Sequence, residues 1–162
     1  MKLLETGAKA CAVLAGVLLT AITLMICVSL IGRNTVGWTL VGDFELSGSA
    51  AGAAVALFLP WCQVRRGNIM VDFFTRGTSA ATQACLDRFG ALLLGLVMAL
   101  MSWRTTLGGL NAWKSQVGSM MLGFPEWAVY LAMVPPLVLC TLIALTQAVQ
   151  GFKPDRAAEE LA

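Results

Sequence analysis

Four ionisable side chains stand where they could act on something other than bulk water. Asp43 and Glu45 precede one long apolar run, Arg104 lies near the end of another, and Lys114 follows it. A charge held in or against a bilayer marks an ion path, a substrate path or a docking contact. The plainer reading is a helix cap or an interfacial side chain that reaches for water. A small proton-coupled exporter needs an acid inside a helix, and the first apolar run, about Ala10 to Ile31, has none. The chain contains no histidine, which removes His-based triads, general bases and metal sites. Cys11, Cys27, Cys62, Cys85 and Cys140 are widely scattered and form no C-x-x-C, so neither a dithiol redox pair nor a sulfur metal knuckle is expected. Four of the five lie in apolar stretches, where cysteine acts as a small hydrophobe. The reading is a non-enzyme with no catalytic, cofactor-binding or metal-binding residue of its own.

The elements that must position these residues follow from composition. Of 162 residues, 58% are hydrophobic and 12% charged, against roughly 45–50% and about 25% in soluble domains. Mean hydropathy is +0.79. An ordinary soluble globule, a disordered chain and a nucleic-acid binder are all excluded. The net charge of +2 is too small to suggest a polyanionic partner. One bilayer crossing takes about 20 residues. Four continuous runs fit, at about 10–31, 46–64, 89–107 and 127–147, giving an all-α integral membrane protein with a single membrane domain over 1–162. Continuous runs also argue against an outer-membrane barrel, which needs alternating segments.

Each run carries its own signals. The first is too long for a signal peptide and ends in Ile31-Gly32-Arg33 without a small-residue cleavage site, so a retained helix is expected. The second has Gly48, Gly52 and Ala56 at i, i+4, i+8, a small-residue stripe that lets another helix approach closely. Trp38 and Trp61 flank it as interfacial residues, and Arg65-Arg66 follow. Pro125 and Glu126 suit the opening turn of the fourth helix, while Pro135-Pro136 should kink it. The polar tail from Lys153 to Ala162 should fray. Between the second and third runs, Asp72, Arg76, Ser79, Gln83 and Asp87 recur on one helical face. That pattern predicts an amphipathic helix over about 69–88 lying in the membrane interface, with a weakly helical loop as the alternative.

Orientation follows from the basic residues. Lys2, Lys9, Arg65, Arg66, Arg76, Arg88, Lys153 and Arg156 fall on one side and Arg33, Arg104 and Lys114 on the other, which accounts for all eleven. The eight-residue side, with both termini, should be cytoplasmic.

The stretch Leu59-Pro60-Trp61-Cys62-Gln63-Val64-Arg65-Arg66-Gly67-Asn68-Ile69-Met70-Val71-Asp72-Phe73-Phe74 resembles the small membrane subunit (DctQ type) of TRAP transporters, the tripartite ATP-independent periplasmic carriers. In that family the second helix ends in basic residues, followed by a His/Asn-Ile/Val-x-Val-Asp signature. Here it reads Asn68-Ile69-Met70-Val71-Asp72, with Asn68 where many members have His. Before the fourth helix, Leu122-Gly123-Phe124-Pro125-Glu126-Trp127 is similar to the family's Leu-Gly-Ile/Phe-Pro-x-Trp pattern. Trp38, Asp43 and Glu45 match the family only loosely.

The resemblance implies a static accessory subunit of the bacterial inner membrane. Its partners would be a large permease subunit (DctM type), a periplasmic substrate-binding protein (DctP type) and membrane lipids. The sodium and substrate sites would lie on the large subunit, which moves by an elevator motion, and the substrate would be an organic acid anion, commonly a C4-dicarboxylate. Gly48, Gly52 and Ala56 would then pack on the partner. Arg65, Arg66, Asn68 and Asp72 would fix the helix end, with the arginines near anionic lipid head groups. Asp43, Glu45, Arg104 and Lys114 would meet the binding protein. The alternative is a self-sufficient small transporter or channel acting as a homo-oligomer, for which Ser102, Arg104 and Thr105-Thr106 offer the nearest thing to a polar face.

Overall fold

In lipid, a helix satisfies its own backbone hydrogen bonds within one segment, and the apolar runs of this chain are helical. The computed structural model describes residues 2–38, 40–65 and 80–150, and among them four helices form: α1 (Lys2–Thr35), α2 (Asp43–Val64), α3 (Ala80–Ser115) and α4 (Glu126–Gln150). All four are long and apolar enough to cross a membrane. Each expected span lies inside one of them. α1 and α3 run well beyond their spans, because nothing in the flanking sequence stops a helix at the membrane boundary. At 34 and 36 residues, they reach about 51 and 54 Å at ~1.5 Å per residue, against about 30 Å of hydrocarbon.

The interfacial arm needs correction. Residues 80–88 are the opening turns of α3 and continue without a break into the third span. Asp87, Arg88 and Phe89 contain no helix stop, so the polar pattern there is the hydrophilic end of one long helix. A separate helix over 69–88 is not supported. Its first part, together with Arg66, Asn68, Asp72 and the tail 153–162, lies outside the described residues.

Local chemistry explains several oddities within the helices. The Thr6, Thr20, Thr23 and Thr35 hydroxyls of α1 donate to carbonyls four residues earlier, at 2.7–2.9 Å, so these polar groups carry their own partners. α1 ends where Gly37 takes a φ of 69°. The Gly32 carbonyl there accepts from the Val36 and Trp38 amides at 3.0 and 3.2 Å. A Cβ at Gly32 would lie 2.8 Å from the Trp38 carbonyl oxygen, so only glycine allows that return. α4 runs unbroken through Pro135-Pro136, with Pro136 fully buried.

The helices pack side by side in the order α1, α2, α4, α3, and α1 also touches α4. α3 packs against α4 alone among the described helices. The interior is mostly alanine, including Ala8, Ala15, Ala53, Ala54, Ala91, Ala112 and Ala144. Lipid supplies little hydrophobic force between helices, so close approach through small residues has to hold them. Gly95 lies against Leu145, and Gly108 and Gly109 lie against Tyr130; an added Cβ would come within 3.1, 3.1 and 2.9 Å. A buried polar pair joins α2 to α4. Gln63 Nε2 donates to Gln147 Oε1 at 2.7 Å, and Gln147 Nε2 donates to the Gln63 carbonyl at 3.1 Å, with both side chains buried.

Candidate functional site

Two ends can be distinguished: a near end with the start of α1 and the finish of α2 and α4, and a far end with the turns between α1 and α2 and between α3 and α4. Two of the acids singled out in the sequence shape the far end. Asp43 and Glu45 occupy the first turn of α2, where the helix dipole favours negative charge. Asp43 also ties α2 to α1, since the buried Ser29 hydroxyl donates to its Oδ2 at 2.6 Å.

Glu45 reaches further. The Met121 amide donates to both its carboxylate oxygens, at 3.0 and 3.2 Å, and the Leu122 amide donates to Oε2 at 3.3 Å. The α3–α4 turn is thus held on the end of α2 by one carboxylate. The turn has its own framework. Ser119 N donates to the Phe124 carbonyl at 2.9 Å, Glu126 N to Val117 at 3.2 Å, and Gly123 N to Ser119 at 3.0 Å. The Phe124 amide donates to the Ser119 hydroxyl at 3.2 Å. Gly123 sits at φ 62°, and a Cβ on Gly118 would come 3.1 Å from the Gly123 carbonyl oxygen. Gly42, at φ 80°, lies under Leu122, and a Cβ there would run into that side chain. Trp127 opens α4 with its ring edge-on to Trp113, centroids 4.7 Å apart at 70°.

The product is a shaped platform. Its upper surface is apolar: Met120 is fully exposed, and Met121, Leu122 and Phe124 are exposed beside it, as are Val41 and Phe44 across the turn. Beneath it lies a cleft of about 520 Å³ bordered by Glu45, Ser49, Ser119, Glu126 and Tyr130. The sequence reading missed Met120-Met121-Leu122 as a surface, although an apolar run inside a turn was the available signal. It also missed Gln63 and Gln147, two amides inside otherwise apolar helices.

The remaining candidates are dispersed. Gly48 and Gly52 face open space, with nothing within 4 Å of an added Cβ, whereas Ala56 is 2% exposed and packed within the chain. The three therefore do not form one free stripe. Arg104 and Lys114 are exposed on α3. Ser102 is buried and Arg104, two residues on, is exposed, so they fall on nearly opposite sides of the helix. At the near end, the Arg65 guanidinium lies 5.1 Å from the centroid of the Trp61 ring, a distance suited to cation–π attraction. All five cysteines are free thiols. Among the described residues, no group of three or more His, Cys, Asp or Glu gathers to hold a metal. The far end offers a shaped surface whose two bonded carboxylates, Asp43 and Glu45, are already engaged by the protein's own groups.

Comparison with protein families gives a match to the DctQ component of tripartite ATP-independent periplasmic transporters over residues 22–153 of the 162. The chain belongs to the DctQ family. Neither the curated proteins nor the solved structures contain a match. The DctQ family is one of transporter components, not of enzymes, and with four apolar helices the chain is a multi-pass membrane protein. The DctQ match spans α2, α3, α4, the later part of α1 and the whole far-end platform. The Leu122–Trp127 motif now has a physical account. Leu122 covers Gly42, Gly123 makes the left-handed turn, Pro125 leads into α4, and Trp127 docks on Trp113.

Proposed function

We propose that this DctQ component is a stator. It packs on a large permease subunit and supports sodium-coupled, binding-protein-dependent uptake of an organic acid anion, C4-dicarboxylate-like in size and charge. The large subunit carries the sodium and substrate sites. The complex lies in the inner membrane with both termini of this chain cytoplasmic, in keeping with the eight-to-three split of basic residues.

The observation that carries the reading is the open helix order. Among the described residues α3 touches α4 alone, so the four helices do not close around a shared interior of their own. Transport by such a chain needs another protein to supply the path. Leu93, Leu96, Val97, Leu100 and Trp103 remain exposed along α3, and Gly48 and Gly52 leave room beside α2 for a close-packed helix. At the far end, Arg104 and Lys114 are free to meet a binding protein through charge. Asp43 and Glu45 contribute there by fixing the shape of the platform.

Reconstitution tests this directly. Vesicles holding the chain alone should take up no C4-dicarboxylate under a sodium gradient. Vesicles holding it with its large subunit should do so when binding protein is added. Sodium-driven uptake by the chain alone would move the site into this protein and favour a homo-oligomeric transporter.

A further inference from the structure

Between the start of α1 and the finish of α2 lies a second cleft, of about 480 Å³. Lys2, Glu5, Thr6 and Lys9 line it from α1, Trp61 from α2 and Arg65 from the residue that follows α2. Lys2, Thr6 and Lys9 recur at i, i+4, i+7 and so share one helix face. Three cations thus converge against one carboxylate. Among the described residues, Lys2, Lys9 and Arg65 have no ion-pair partner, and their side chains are exposed. The Thr6 hydroxyl is occupied, donating to the Lys2 carbonyl at 2.9 Å. Trp61, half-buried, holds the Arg65 guanidinium over its ring.

The depth of the cleft is set by sequence. In α1 the charge-free run begins directly after Lys9, and in α2 it ends at Val64, directly before Arg65. The cleft therefore straddles the boundary between hydrocarbon and water, at the level of lipid phosphates, with an aromatic ring of the kind that favours that boundary. An excess of cations there attracts anionic lipid. We propose that this cleft is a binding site for the phosphodiester of an anionic phospholipid, gripped by Lys2, Lys9 and Arg65, with the lipid's chains running down the α1–α2 flank. The bound lipid clamps the ends of α1 and α2 and sets the depth of the chain in the bilayer. This goes beyond the stator reading and does not depend on it.

The test is native mass spectrometry of the full-length chain in delipidated detergent, titrated with phosphatidylglycerol, phosphatidylcholine or inorganic phosphate. Phosphatidylglycerol should form a single retained adduct, at least tenfold tighter than phosphatidylcholine. Inorganic phosphate should fail to displace it at equal concentration. The K2Q/K9Q/R65Q variant should lose that preference, and Lys9→Gln alone should weaken it partly. The R33Q/R104Q/K114Q variant, with the same charge change at the other end, should retain it. Circular dichroism would confirm that each variant keeps its helices. Equal binding of both lipids, displacement by inorganic phosphate, or an unchanged preference in both the triple near-end variant and Lys9→Gln would overturn the proposal.

Discussion

Glu45 accepts hydrogen bonds from two backbone amides that lie 76 and 77 residues further along the chain. Removing the acceptor leaves those amides to solvent and the platform held only by its own turn and by the packing of Leu122 on Gly42. In Glu45→Ala, amide exchange at Met121 and Leu122 should quicken by roughly tenfold while exchange in the middle of α4 stays unchanged, because local opening is governed by local bonds. Uniform quickening across α4 would instead mean that Glu45 supports the whole helix. The sequence displayed the acid but could not display its partner, since the bond joins segments far apart in the chain. The buried Gln63–Gln147 pair makes a similar point. Gln63→Leu should destabilise the protein by about 1 kcal/mol, because Gln147 loses a partner in a place water does not reach. Changing both residues to leucine should recover much of that loss. Equilibrium unfolding in micelles would read both effects, and a double variant no better than the sum of the singles would argue against a coupled pair.

At the scale of elements, the α3–α4 contact depends on glycine at three places. A Cβ on Gly109 alone would approach Tyr130 Cβ to 2.9 Å. Gly109→Leu should therefore push α3 away from α4 at a cost of about 1–3 kcal/mol. The near-ultraviolet circular dichroism from the Trp113–Trp127 pair, 4.7 Å apart, should fall with it. An undiminished signal would show that the helices can slide and keep their contact. These glycines were visible in the sequence, but their helix looked no different there from one facing lipid, because the contact surface depends on the neighbour. The four spans were legible because each residue's hydropathy is read in place, without knowledge of the neighbours. The ends of α1 and α3 were not, since water beyond the bilayer does not itself stop a helix. The amphipathic stretch before the third span misled for the same reason: residues 80–88 are polar on one face while forming part of a helix that goes on to cross the membrane.

At the scale of the whole molecule, the number of spans and the family were within reach of the sequence, whereas the lateral order was not. Hydropathy is silent on which helix neighbours which. That order underlies the proposed stator reading, since among the described helices α3 stands at the edge and leaves the array open. For copies of this chain to build a conduit unaided, exposed faces such as the apolar side of α3 would have to line it or close against another copy. Leu96, Leu100 and Trp103 on that side suit lipid or a protein contact better than a path for a hydrated anion.

The same order makes the polypeptide two antiparallel hairpins, α1–α2 and α3–α4, joined through α4. Each hairpin is local in sequence, so each can form as it leaves the ribosome, and only their mating must wait for the last helix. Damage at that junction would then leave both hairpins helical but no longer packed on one another, a failure that secondary-structure measurements would not see.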